Sequence, residues 1–304
     1  MFAITTLDST DGLKVTPNLL TQLQAKMLSL VGWGNDTETT GPQSEATLAA
    51  VHHLGSGGRL IRGRLALHAS LALGLQEFDA LCLAAAAELL HNASLVQDDL
   101  QDGDKLRRGL PAVWAQFNTN VAICTGDLML SAAYAALGGV GRPQIIPELL
   151  TLMHRRTAAA IQGQCADLET RSQPAGNTLM YEKIVIEKSG ALLSLPLELA
   201  LTASGKGEWT RDARLGAEAF SVAYQVADDL ADFQRDAPRD SLNIVTILEA
   251  SGDAADAVVR ACQFGSRHLD RAIAAAKKLP CDSGAVLLQL SGELRDFFDL
   301  GTRP

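Results

Sequence analysis

Residues 80–102 read ALCLAAAAELLHNASLVQDDLQD, an apolar run closed by Asp98-Asp99-Leu100-Gln101-Asp102. The pattern returns 130 residues later, where LGAEAFSVAYQVA runs into Asp228-Asp229-Leu230-Ala231-Asp232. On a helix, the first and fifth positions of D-D-x-x-D lie about 40° apart, and the second lies about 100° from the first. Each cluster is therefore expected to turn three carboxylates to one side. Like charges at this spacing repel, and a hard cation such as Mg²⁺, bound through oxygen, relieves the repulsion. Carboxylates facing each other inside a helix bundle make a metal site that can hold a phosphate-bearing ligand.

Composition agrees with helices. Of 304 residues, 47% are hydrophobic and only 5% aromatic, with Ala and Leu dominant, which favours helix over strand. The formal net charge of −9 argues against a nucleic-acid partner. The cysteines Cys82, Cys124, Cys165, Cys262 and Cys281 form no C-x-x-C. They read as reduced, buried thiols of a cytoplasmic protein. The N-terminus MFAITTLDSTDG lacks the basic start of a secretory signal. No run of about 20 apolar residues suggests stable membrane insertion.

Working outward, residues 1–16 are expected to be loose and 17–31 to form a first helix, with a second at 44–54. GSGGRLIRG (55–63) breaks that helix with glycines, and Arg59 and Arg62 are expected to share one side of the next, which runs to about Gly74. A long helix from about Glu77 carries His91 to the first aspartate cluster. DKLRRGLP (104–111) is a charged connection. Helical patterns resume at 112–120, 121–138, 143–171, 177–203, 210–234, 253–278 and 284–299. No alternating strand pattern and no repeat beyond the two aspartate motifs is present. The expectation is one all-α domain over 1–304: a helical bundle with a central cavity between two Asp-rich helices.

Two acidic triads with metal call for a strongly anionic ligand, and a diphosphate fits. Arg107-Arg108 follow the first cluster closely, and Arg59 and Arg62 sit beside a Gly-Gly break. Arginine donates two hydrogen bonds at once to phosphate, and open N–H groups at a helix start favour anions.

GGRLIRG, DDLQDGDKLRRGLP, ICTGDLML, GQCADL, the Tyr181…Lys188-Ser189 segment and YQVADDLAD occur in an order and spacing that resembles the trans-isoprenyl diphosphate synthases of the polyprenyl synthetase family, over roughly 43–235. The resemblance implies an isoprenoid-synthase bundle, a homodimer and three Mg²⁺ per site. It implies head-to-tail condensation of isopentenyl diphosphate with an allylic diphosphate. Asp98, Asp99, Asp102, Asp228 and Asp232 would be the metal ligands, with Asp229 close by. Arg107 and Lys188 would hold the allylic diphosphate, and Arg59, Arg62, His91 and Arg108 that of isopentenyl diphosphate. Ser189, Gln164 and Gln225 would line the reaction centre. A growing chain would pass Ser94 and Ala93, then Leu90, then Ala87, at one-turn intervals along the helix. Synthases stopping at fifteen carbons usually have an aromatic plug at the positions of Ala93 or Ser94, so geranylgeranyl diphosphate is the expected product. The alternatives are a farnesyl or longer-chain synthase, a class I terpene cyclase, or a non-catalytic synthase subunit.

The chain departs from the family pattern at four places. Arg59 stands for the usual Lys, Ser189 for Thr, and Trp114 for a His. The stretch FQRDAPRDSLNIVT (233–246) is short and lacks lysine, leaving Arg235 or Arg239 to substitute.

Overall fold

The computed structural model describes residues 13–32, 43–170, 177–233, 242–251 and 256–301. In chain order these form α1 (Pro17–Leu30), α2 (Glu45–Gly55), α3 (Ile61–Ala72), α4 (Glu77–Asp102), a hairpin of β1 (Leu106–Arg107) and β2 (Leu110–Pro111), α5 (Val113–Gln116), α6 (Thr119–Gly138) and α7 (Ile146–Thr170). Then come α8 (Thr178–Val185), α9 (Ala191–Ala203), α10 (Thr210–Phe233), α11 (Ile244–Ala250), α12 (Ala257–Ala276) and α13 (Ala285–Gly301).

Local chemistry sets many of the ends. Thr16, Ser44, Asn118, Asn177 and Asn243 each accept a backbone N–H of the helix they precede, satisfying a donor the helix leaves open. Gly103, at φ 71°, ends α4 in the left-handed conformation, which glycine adopts without steric cost.

Two apolar cores form. One gathers α1, α2, α4, α6 and part of α7; the other gathers α10 to α13 with Tyr181 and Val185. α3 and α9 belong to both. Ala66 and Leu67 pack into the first core while Leu65 and Ala69 pack into the second, and Leu195 and Leu199 of α9 oppose Leu197 and Leu201. Every residue of α9 is buried. Each buried leucine there contributes about 1.5–3 kcal/mol relative to exposure, which offsets the helix-breaking effect of Pro196 inside α9.

Several expectations need correction. Residues 13–16 are not loose: Val15 is buried and the Lys14 backbone N–H donates to His68 Nδ1 at 3.1 Å. The 104–111 connection contains a two-stranded antiparallel hairpin, too short to show an alternating pattern. α11 lies in a stretch not expected to be helical. The 177–203 helix is interrupted by a π-helical turn at Ile186–Gly190. Cys124, Cys165 and Cys281 are exposed rather than buried; all five thiols are free. α4 and α6 are long and apolar enough to cross a membrane by length and composition, but 83% of the apolar window in α4 is buried inside the protein, so α4 is a core helix.

Candidate active site

α4 and α7 each present a stripe at helical spacing to one cavity. From α4 come Leu90, Ala93, Ser94, Gln97, Asp98 and Gln101; from α7 come Thr157, Ala160, Ile161, Gln164, Cys165 and Leu168. Leu130 of α6, Lys188 of the π-helical turn and Leu192 of α9 complete the wall. No residue of α10 lines it. The volume is about 150 Å³, whereas a single water needs only about 10–15 Å³ on this measure, so the space is ligand-sized. It is polar at one end, where Asp98, Gln101, Gln164 and Lys188 meet, and apolar at the other, around Leu90, Leu130 and Leu192. Ala93 and Ser94 lie between. The Ser94 hydroxyl donates to the His91 carbonyl at 2.8 Å, so it adds little polarity to the wall. Ala87 is buried but is not part of that wall.

The first aspartate motif does not turn three carboxylates to one side. Asp98 lines the cavity and Asp102 is exposed. Asp99 is fully buried and accepts both Nε of Arg107, at 2.8 Å, and an Arg107 Nη2 hydrogen bond. The offset of about 100° between neighbours on a helix sends it to the hairpin instead. Burial raises the Asp98 carboxyl to about 6; Lys188 opposes the rise and Asp102 adds to it. The second motif divides in the same way. Asp228 is partly exposed and Asp232 exposed, while Asp229 is buried. Asp229 accepts from Tyr181 Oη at 2.8 Å, Gln225 Nε2 at 2.9 Å and the Ile244 backbone N–H at 2.9 Å. Asp229, braced by Gln225 of its own helix, thus joins α10 to α8 and to the start of α11.

The hairpin separates the two arginines that follow the first motif. Arg108 and Gly109 at its turn both have positive φ, 54° and 80°, as a type I′ turn requires. Such a conformation is uncommon for a non-glycine residue. While Arg107 turns to Asp99, Arg108 donates to the Gly57 carbonyl and lies 3.4 Å from Ser56 Oγ. The Arg108 guanidinium rests on Gly58, where an added Cβ would meet it at 2.8 Å. Trp114 Nε1 donates to the Asp104 carbonyl at 2.8 Å, and His52 Nε2 lies 2.8 Å from the Pro111 carbonyl. Both brace the hairpin.

Arg62 and His91 both feel the charge of Arg108, and Tyr224 feels both Arg59 and Arg62, so these residues make one cationic cluster. Arg59 and Arg62 do not share a helix side, because Leu60, at φ 48°, turns the chain before α3 begins. Arg59 instead donates to Tyr224 Oη of α10 at 3.3 Å. Burial pulls the Arg62 guanidinium down to about 10, with Glu88 as its opposing charge. Burial, then Arg62 and Arg108, hold His91 well below its ordinary value. Arg62 Nε and His91 Nδ1 are buried without a hydrogen-bond partner. An unpaired buried donor such as the Arg62 Nε–H is costly, and an anion would satisfy it.

Lys188 and Ser189 sit on the π-helical turn, a distortion frequent at functional sites. Lys188 Nζ donates to Asp167 Oδ2 at 2.6 Å. Gly163 lets α7 approach this turn: a Cβ there would meet the Lys188 backbone nitrogen at 2.3 Å. Gln164 donates to Gln101 Oε1 at 2.8 Å, and its own Oε1 is buried without a partner. Asp167, Gln101 and Tyr224 were not singled out from the sequence, although each lies inside a quoted motif. Arg235 and Arg239 lie outside the described residues.

A model of the polyprenyl synthetase family matches residues 44–242. A short chain isoprenyl diphosphate synthase of Methanothermobacter thermautotrophicus is 30% identical over 62% of this chain and 58% of its own length. A (2E,6E)-farnesyl diphosphate synthase of Mycobacterium bovis is 34% identical over 57% of this chain and 48% of its own. The chain thus matches about half the length of these curated relatives. The solved geranylgeranyl pyrophosphate synthetase of Geoglobus acetivorans superposes with a TM-score of 0.79 at 23% identity, covering 91% of this chain and 98% of that one, which shows the same all-α fold. With the family model spanning well over half of its residues, the chain belongs to the polyprenyl synthetase family.

Proposed function

We propose that this protein is a trans-prenyltransferase that condenses isopentenyl diphosphate with an allylic diphosphate, and that its product is geranylgeranyl diphosphate. One observation carries the reading. A cavity polar at Asp98 and Lys188 and apolar at Leu90, Leu130 and Leu192 accompanies a separate cluster of Arg59, Arg62, His91 and Arg108, in which Arg62 Nε is a buried donor without a partner. Two anionic substrates, one with a hydrocarbon tail, suit these two places. A terpene cyclase has no use for the second.

Asp98, Asp102, Asp228 and Asp232 are the residues that would hold Mg²⁺. Among the described residues no three metal-binding side chains converge on one point. Mg²⁺ commonly takes one or two carboxylates and completes its shell with substrate phosphates and water, so an open set of hard oxygen donors fits. Bound there, it would neutralise charge on the departing diphosphate.

Lys188 and Arg107 would share in binding that diphosphate as the allylic C–O bond breaks. The apolar wall shelters the allyl cation from water. Arg59, Arg62, His91 and Arg108 hold the second substrate while its double bond attacks C1 of the cation. The new C–C bond leaves a tertiary cation, which loses a proton to the departed diphosphate to form the trans double bond. No side-chain nucleophile is required. A homodimer and a cytoplasmic setting belong to this reading, and the free cysteines suit a reducing compartment. Incubation with Mg²⁺ and both substrates, followed by chromatography of the dephosphorylated products, tests it: a new prenyl alcohol supports the reading and unchanged substrates sink it.

A further inference from the structure

Gly63 closes the GGRLIRG motif, and nothing in the reaction explains it. It is the third residue of α3, whose start lacks a cap of its own: Leu60 is left-handed and makes no side-chain hydrogen bond to the helix. A helix start leaves backbone N–H groups open. Here a carboxylate from another helix fills the gap. Glu88 of α4, only 2% exposed, accepts the Gly63 N–H on Oε1 at 2.8 Å. The missing side chain of Gly63 makes room, since a Cβ there would meet Leu23 at 2.5 Å and Glu88 Cγ at 3.1 Å. The N–H at this helix start is therefore taken by protein and not offered to a phosphate.

The carboxylate is itself held. Asn92, one turn on along α4, donates Nδ2 to the Glu88 carbonyl at 2.8 Å and lies 3.5 Å from Glu88 Oε2. Asn92 Oδ1 faces His53 Nε2 at 3.1 Å. The His53 carbonyl accepts the Ser56 hydroxyl at 2.7 Å, beside Arg108. A chain of polar contacts thus runs from the start of α3 to Arg108. Arg62 sits between Leu60 and Gly63, so the cap fixes the turn from which its guanidinium projects.

We propose that Glu88 is a positioning residue for the second diphosphate site, acting as a cap in trans that fixes the first turn of α3 and, through it, Arg62. The inference rests on the diphosphate reading of the Arg59, Arg62, His91 and Arg108 cluster. Its physical content is geometric. The site needs an acceptor at this reach and does not need its negative charge, which opposes anion binding.

Three variants separate these roles. Glu88→Gln keeps an acceptor oxygen at the same reach. Glu88→Asp keeps the charge but falls one methylene short, and Glu88→Ala removes both. Isopentenyl diphosphate binding is measured by titration calorimetry, and KM for each substrate by steady-state kinetics. Glu88→Asp and Glu88→Ala are expected to weaken isopentenyl diphosphate by about tenfold, the effect of one lost buried hydrogen bond, with KM for the allylic substrate unchanged. Glu88→Gln is expected to match or exceed wild-type affinity. A loss only of thermal stability, with both KM values intact, would overturn the proposal. So would a Gln variant as impaired as Ala. Calorimetry keeps the two claims apart: a wild type that binds isopentenyl diphosphate but forms no product refutes the condensation and leaves the Glu88 comparison standing. A wild type that does not bind it refutes both.

Discussion

Lys188 and Asp167 form a charge-assisted hydrogen bond, Nζ to Oδ2 at 2.6 Å, tying the π-helical turn to α7 at the polar end of the cavity. A diphosphate that uses Lys188 must share the lysine with this carboxylate. Lys188→Ala is expected to raise KM for the allylic substrate at least tenfold, in line with about 1.5–3 kcal/mol for a hydrogen bond to a charged group. Asp167→Asn, which removes the competitor, is expected to leave that KM unchanged or lower it. Steady-state kinetics with each substrate varied in turn checks both; an unaltered KM in Lys188→Ala would remove this lysine from the site.

Gly163 and Gly292 are both helical glycines in opposite surroundings. A Cβ at Gly163 collides with the backbone of the π-helical turn, whereas nothing lies within 4 Å of one at Gly292. Gly163→Ala is expected to destabilise the protein by about 1–3 kcal/mol, as overpacking does, and to lower turnover by displacing Lys188. Gly292→Ala is expected to stabilise it by about 0.5–1 kcal/mol, the helical preference for Ala. Denaturant unfolding reads both signs, and a neutral Gly163→Ala would contradict the close approach described.

Ala93 and Leu90 bracket the apolar end of the cavity, with Leu130 and Leu192 beside them. Ala93→Phe is expected to shorten the product toward farnesyl diphosphate, and Leu90→Ala to lengthen it beyond the wild-type product. Chromatography of the dephosphorylated products decides. If neither substitution shifts the product distribution, the floor belongs to other residues.

His53 is buried and stays neutral, its ordinary value of 6.5 lowered to about 3 by burial and then by Arg108. Between those values the unfolded chain binds a proton the folded chain refuses, so stability falls as pH drops through that window. His53→Gln retains a donor for Asn92 Oδ1 and removes the titration. Its urea midpoint is expected to fall less between about pH 7 and about pH 5 than that of the wild type. Equal falls would show that His53 is not the group being protonated.

Most of the bundle was legible because apolar spacing and glycine or proline breaks act over a few residues. The two aspartate motifs were legible for the same reason. What sequence spacing could not show was direction. Position on a helical wheel places Asp99 and Asp229 near their neighbours, but Arg107, eight residues on, and Tyr181, on another helix, draw them away. Arg59 and Arg62 looked like one face because the left-handed Leu60 between them carries no sequence signal. The opposite wall of the cavity, from Thr157 to Leu168 on α7, has helical spacing that reads equally as core. Glu88 resembles any polar residue in a helix until Gly63 is seen against it.

On the proposed reading, the cavity and the cationic cluster together condense two diphosphates. The direct measurement is a single incubation series: protein, Mg²⁺, isopentenyl diphosphate and each short allylic diphosphate in turn, with products dephosphorylated and separated. Wild-type protein is expected to yield geranylgeraniol, chelation to abolish turnover without unfolding the protein, and Asp98→Ala or Asp228→Ala to cut the rate by about 10²–10³ or more, as loss of a positioned charge stabiliser does. Turnover unaffected by chelation or by both substitutions, or hydrocarbons formed from the allylic diphosphate alone, would contradict the account.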